Sequence, residues 1–164
     1  MLKSVNSCFS LIIMGFMFLA PPALACGGAQ KVGELTFKKD NMSIKTQDAE
    51  VQFNIEIAES PSQLEHGLMH CTSLPADYAM LFYFADDTQH AMWMKDTPLS
   101  LDMLFVDSYG KIVYIQPNTT PQSLAKITPP APVSVRAVLE MPAGTTAQKH
   151  IQVGDQVIHS YFKP

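Results

Sequence analysis

Val51-Gln52-Phe53-Asn54-Ile55-Glu56-Ile57 alternates apolar and polar residues without a break. Successive side chains of a strand point to opposite faces, so Val51, Phe53, Ile55 and Ile57 share one apolar face. The stretch predicts a half-buried strand. Outward from it the same logic recurs. Met80-Leu81-Phe82-Tyr83-Phe84 is continuously apolar and stops at Asp86-Asp87, which predicts a strand buried on both faces. A short loop leads to a further predicted strand from Ala91 to Met94. Leu101 to Val106 and Lys111 to Gln116 flank Asp107-Ser108-Tyr109-Gly110, a hairpin with Gly110 placed for positive φ. Val135 to Met141 and Gln156 to Phe162 predict two more strands, and Leu35-Thr36-Phe37 and Ile44 predict short edge strands.

Helical signals are few. In Ser60-Pro61-Ser62-Gln63, Ser60 can cap, Pro61 suits the first helical position and Gln63 completes a capping box. A helix to about His70 is expected, with Leu64, Leu68 and either Gly67 or Cys71 inward. Gly67 in mid-helix costs about 1 kcal/mol relative to Ala, which points to a closely packed neighbouring backbone. Thr145 or Thr146 can cap one further turn. Residues 117 to 132 hold Pro117, Pro121, Pro129, Pro130 and Pro132 and predict a long loop. The chain therefore reads as mainly β, a single-domain sandwich or jelly-roll-like barrel with one or two short helices.

The first 25 residues read as a signal peptide. Lys3 supplies the positive start, Phe9 to Ala20 is uncharged and mostly apolar, and Ala23-Leu24-Ala25 fits a cleavage site. The run is too short for a comfortable membrane span. The expected organisation is 1–25 signal peptide, 26–44 N-terminal tail and edge segment, and 45–164 β-sandwich domain. An exported, periplasmic protein follows. Cys26 stands directly after Ala25, so acylation to an outer-membrane lipoprotein is the alternative, and a membrane partner is expected only then. Leu24 stands one place too close to Cys26 for a good acylation motif. Cys8 leaves with the signal, and Cys26 and Cys71 then either form a disulfide or leave Cys71 as a buried thiol. The net charge is −4 and no basic run exists, which argues against a nucleic-acid partner.

Several pieces agree in order and spacing: Gly67-Leu68-Met69, Met80-Leu81-Phe82, Trp93-Met94-Lys95-Asp96-Thr97, Leu101-Asp102 with Phe105, Gly110, Val138-Leu139-Glu140, Ala143-Gly144 and Gly154-Asp155. Together they resemble the family known as domain of unknown function 192, over about residues 45 to 160. The resemblance implies one mainly β domain, often exported in bacteria, and implies no reaction. The chain departs from the pattern in carrying His70-Cys71 where Arg is frequent, Ala79 where Gly is usual, and Asp96 where Asn is usual.

Two clusters carry chemistry. Asp102 lies between Leu101 and Met103, and Glu140 between Leu139 and Met141. A carboxylate inside an apolar strand is expensive unless paired, and Lys95 is the natural partner. Lys95, Asp102 and Glu140 are therefore candidate catalytic groups, and Trp93, Lys95, Asp96, Thr97, Asp102 and Glu140 candidate ligand-binding residues. Arg136 belongs to the same polar set. The bland alternative is a structural ion pair or a solvated face. In the second cluster, His90, Met92 and Met94 combine thioethers with an imidazole, a set that suits Cu(I). Core packing is the alternative for both methionines. No other cofactor is predicted. His66 and His70 have a zinc-compatible spacing but no third ligand. Trp93, Tyr78, Tyr83, Tyr109 and Tyr114 can form either a sugar- or peptide-binding surface or core.

The functional expectation is an exported cell-envelope binding module for a small ligand or envelope component, with its site near Trp93, Lys95, Asp102 and Glu140. The alternatives are an enzyme using Lys95 with Asp102 or Glu140 as acid and base, and a periplasmic copper-handling protein using His90, Met92 and Met94.

Overall fold

The computed structural model describes Cys26 and residues 35–162. The expected signal peptide lies outside the described residues. Seven strands and two short helices follow in the order β1 (Lys38–Lys45), β2 (Glu50–Ala58), α1 (Pro61–His66), β3 (Tyr78–Tyr83), β4 (Leu101–Val106), β5 (Ile112–Gln116), β6 (Ala137–Pro142), α2 (Thr145–Gln148) and β7 (Gln156–Ile158). They form one sheet in the order β5-β4-β6-β3-β2-β1-β7. Every pairing is antiparallel except β2 with β3. That parallel pair needs a crossover, and α1 lies within it.

The sheet ends meet. Lys111 bridges to Gln156, Val157 donates its N–H to Gly110 O at 2.7 Å, and Ile112 donates to Asp155 O at 3.0 Å. The domain is a nearly closed barrel. Closure leaves few bare strand edges, which would otherwise invite pairing with another chain.

Strand alternation sorts the side chains into two layers. Phe53, Ile55 and Ile57 fill the barrel interior with Ile44, Leu81, Leu104, Ile112 and Leu139. The opposite faces of β3, β4 and β6 carry Met80, Phe82, Met103, Phe105 and Val138. These pack outside the barrel against Leu68, Cys71, Met92 and Met94. Burying a large apolar side chain is worth about 1.5–3 kcal/mol, so β3, buried on both faces, ties the two layers together.

Several expectations need correction. The domain begins before residue 45: β1 lies between β2 and β7, and its Met42 and Ile44 are in the core. Ala91 to Met94 is not a strand. It makes one bridge, Met92 with Ile127, with paired N–H···O bonds of 2.9 Å. Its alternation persists, with Met92 and Met94 buried and Trp93 44% exposed. The Pro-rich segment after Pro117 is held against this stretch, since Met94 donates to Ser123 O at 2.9 Å and Gln122 to Thr97 O at 3.0 Å.

The capping box at Ser60 forms, but α1 ends at His66, short of His70. Gly67 caps it at φ 47°, a conformation that favours glycine. The neighbour that crowds Gly67 is a ring, not a backbone: a Cβ there would lie 2.7 Å from Phe82 Cζ. At α2 the N-cap is Gly144, so neither Thr145 nor Thr146 caps. The last strand is three residues long. Cys26 and Cys71 are joined by a disulfide, and Cys26 N–H also donates to Ser73 O at 3.0 Å.

Candidate ligand-binding site

Glu140 forms the floor of the site. On β6, Leu139 and Met141 point into the barrel, so the intervening Glu140 points outward with Val138. Its cross-strand partners are Met80 on β3 and Met103 on β4, both apolar. A pocket of about 100 Å³ lies above it. The end of α1 and the turn after it, with Glu65, His66 and Met69, make one wall; Phe82, Phe84, Met92, Trp93, Lys95 and Thr97 line the others.

The electrostatics of the floor are unusual. Glu140 is 4% exposed and has no hydrogen-bond or ion-pair partner among the described residues. Burial pushes its carboxyl up to about 8. At neutral pH it is mostly a neutral acid, and so a hydrogen-bond donor facing the pocket. His66 adds a second unused group. Its Nε2 is buried without a hydrogen-bond partner, and burial, with His70 nearby, holds the imidazole below the usual histidine range.

At the rim, the Lys95 ammonium lies 5.4 Å from the Trp93 ring centroid and has no ion pair among the described residues. Thr97 Oγ1 donates to Lys95 O at 3.1 Å and steadies the turn. Asp96 sits at φ 52° between them. Asn and Asp both tolerate that left-handed conformation, which explains why Asp can replace the usual Asn. The backbone is what the fold uses here: Asp96 O accepts from His70 N–H at 2.7 Å. Asp96 therefore shapes the turn and does not line the pocket.

Asp102 is the main correction to the expected constellation. It is fully buried. Its Oδ1 accepts from Asn118 N at 2.9 Å and Gly144 N at 3.2 Å, and its Oδ2 from Thr146 N at 2.9 Å and Thr146 Oγ1 at 2.7 Å. These bonds tie the start of α2 to the loop after β5. Asp102 pairs in register with Met141, one position from Glu140, and so faces the other side of the sheet. Its charge is met by backbone and hydroxyl donors rather than by Lys95.

His90, of the expected soft-ligand set, has partners of its own. His90 Nε2 lies 3.0 Å from Asp86 Oδ1, and its ring stacks on Phe84 at 3.7 Å. Met94 is fully buried in the outer layer, while Met92 reaches the pocket. Among the described residues no group of three or more His, Cys, Asp or Glu is arranged to hold a metal. His66 and His70 stand with ring centroids 6.2 Å apart, His70 exposed. Arg136 is structural: Nε pairs with Asp87 at 2.9 Å and Nη1 donates to Phe84 O at 3.1 Å. The tyrosines do not gather around Trp93. Tyr83 Oη donates to Tyr161 O, Tyr114 packs on Phe105, and Tyr109 is exposed on the β4–β5 turn.

Tyr78 lines a second, larger groove of about 430 Å³ with Lys39, Asn54, Glu56 and Asp77. Several of its polar groups are already paired. Tyr78 Oη donates to Glu56 at 3.1 Å, Asn54 Nδ2 to Asp77 at 2.7 Å, and Lys39 pairs with Glu56 at 3.7 Å. The smaller pocket is where buried groups keep unspent hydrogen-bonding capacity.

The family model DUF192, described as an uncharacterized ACR, matches residues 42–159. A solved structure from Sinorhizobium meliloti 1021, described as a "putative transcription regulator", is 38% identical, with a TM-score of 0.72 over 77% of this chain and 97% of that one. A protein of unknown function from Novosphingobium aromaticivorans DSM 12444 is 24% identical, with a TM-score of 0.71 over 86% of this chain and 94% of that one; this likeness is one of fold. No curated protein matches the chain.

Proposed function

The chain belongs to the DUF192 family, and from that premise we propose that it is an exported binding module for a small ligand seated in the Trp93–Lys95–Glu140 pocket. One observation carries this reading: Glu140 is buried at the pocket floor with no partner among the described residues. Such a group costs about 1–3 kcal/mol or more when left unsatisfied, and a ligand that satisfies it recovers that energy on binding. The pocket is smaller than the usual range for drug-sized ligands, which favours a small molecule. A net charge of −4 without a basic run argues against nucleic acid as the partner, whatever the role named for the S. meliloti protein.

Export is supported by the bridge between Cys26 and Cys71, since disulfides persist in oxidising compartments. A bridged Cys26 has no thiol for an acyl chain, which favours a soluble form over a lipoprotein.

A second reading is acid–base catalysis with Glu140 as proton donor, favoured by a carboxyl pushed up to about 8. Asp102 is not available as its partner, because it lies on the opposite face. Lys95 is the remaining group of the expected pair. Copper handling through His90, Met92 and Met94 draws no comparable support, since His90 is engaged by Asp86 and Phe84.

The test is a small-molecule screen on the purified exported protein, read by ¹H–¹⁵N NMR. Binding at this site moves the Trp93 indole and Thr97 amide signals, and Trp93→Ala weakens it. Hits that move only signals around Asn54 and Asp77 would transfer the function to the other groove and sink this assignment.

A further inference from the structure

The pocket offers two donors, Lys95 at the rim and Glu140 at the floor; its other carboxylate, Glu65, is exposed on the α1 wall. The Lys95 ammonium stands at the rim over Trp93, outside any ion pair among the described residues. Glu140 stands at the floor in an apolar surround of Phe82, Met80, Met92 and Met103. No salt bridge joins the two. A cationic ligand would meet the Lys95 charge on entry. A purely apolar one would leave both Glu140 and His66 Nε2 unsatisfied. A molecule with an anionic group and a second acceptor oxygen meets both demands.

We propose that this pocket takes small organic anions, with a carboxylate held by Lys95 at the rim and an acceptor oxygen receiving the Glu140 proton at the floor. The proposal rests on the reading of the pocket as a ligand site. Trp93 and the thioether of Met92 cover the ligand's carbon skeleton, a role that suits a flexible, polarisable side chain. The Lys95 charge sits at the mouth, so it also attracts anions during encounter.

The proposal fixes a pH dependence. The titratable groups that face Glu140 are Glu65 and His66 from the α1 wall, Lys95 from the rim, and Tyr78 from β3, whose hydroxyl already donates a hydrogen bond to Glu56. His66, held below its usual range, changes charge at lower pH than Glu140. Anion affinity is therefore constant from about neutral pH to the Glu140 transition. Above it, the ionised floor repels the ligand and affinity falls, by up to about tenfold per pH unit.

The experiment titrates the exported protein with millimolar 4-oxopentanoate, pentanoate, pentanamide and pentylamine, following Trp93 fluorescence and the NMR signals of Trp93 and Thr97. The expected order is 4-oxopentanoate first, pentanoate second, and the amide and amine far behind. Lys95→Met weakens the anions about tenfold or more, the loss of a charge-assisted contact. Glu140→Gln has no floor proton to lose, so whatever its affinity at pH 7, the fall above pH 8 is abolished. Binding of the amine or amide in preference to the anions overturns the anion proposal and leaves the pocket a ligand site. Absence of any shift at Trp93 and Thr97 with all four probes overturns both.

Discussion

Asp102 and Glu140 sit one register step apart on adjacent antiparallel strands, Asp102 opposite Met141 and Glu140 opposite Met103, and so face opposite sides of one sheet. The two buried acids have opposite chemistry for this reason. Asp102 receives four hydrogen bonds from the loop after β5 and the start of α2. Glu140 receives none among the described residues and looks into a pocket.

Asp102→Asn is predicted to destabilise the fold by about 2–4 kcal/mol, because the amide nitrogen cannot accept from the N–H groups that Asp102 serves. Urea denaturation measures the loss. Trp93 fluorescence of the folded variant should match the wild type, since the change lies across the sheet; an altered pocket signal with unchanged stability would contradict the structural role.

Glu140 makes stability pH-dependent. An acid whose folded pKa is raised from 4.5 to about 8 contributes stability that is full below the unfolded value and is lost as pH rises through the folded one. Unfolding free energy of the wild type therefore falls between pH 5 and 9, by an upper bound of about 3–5 kcal/mol. Glu140→Gln removes this slope. Denaturation curves at both pH values decide it, and equal slopes in the two proteins would refute a buried, unpaired acid.

The disulfide closes a loop with a sequence separation of 45. By loop-closure entropy it is worth about 4 kcal/mol. Replacing Cys26 and Cys71 with Ser should lower the denaturation midpoint accordingly. Cys71 N–H donates to Leu68 O at 3.2 Å, so the His66–Met69 wall should loosen first, seen as faster amide exchange there than in β4.

Gly67→Ala is predicted to cost about 2–3 kcal/mol, from a strained φ and a clash with the Phe82 ring. Phe82→Leu removes the ring, so the double variant should recover part of the loss in thermal denaturation. Strictly additive losses would mean that the two residues do not touch.

Much of the architecture is legible in the order of the amino acids. The Val51–Ile57 alternation, the apolar run at Met80, the hairpin at Gly110 and the capping box at Ser60 all rest on local periodicity or turn chemistry, and all are present in the fold. Pattern fails where pairing overrides it. Met92 and Met94 alternate as in a strand, but only Ile127 lies opposite, so a bridge forms and no ladder. Ile44 reads as peripheral along the chain, yet its partners Val51 and Val157 lie on either side of it in the sheet.

The sequence by itself determined the mainly β class, the faces of β2 and β3, the family, and the residues Trp93, Lys95 and Glu140 as ones to watch. Those follow from neighbours along the chain. Only the tertiary structure decided that Asp102 leaves the constellation, that His90 turns to Asp86 and Phe84, and that His66 enters the pocket. The reason is register: which face a buried acid shares with its cross-strand partner depends on the pairing of β4 with β6, and a one-residue shift would have set Asp102 and Glu140 on the same face.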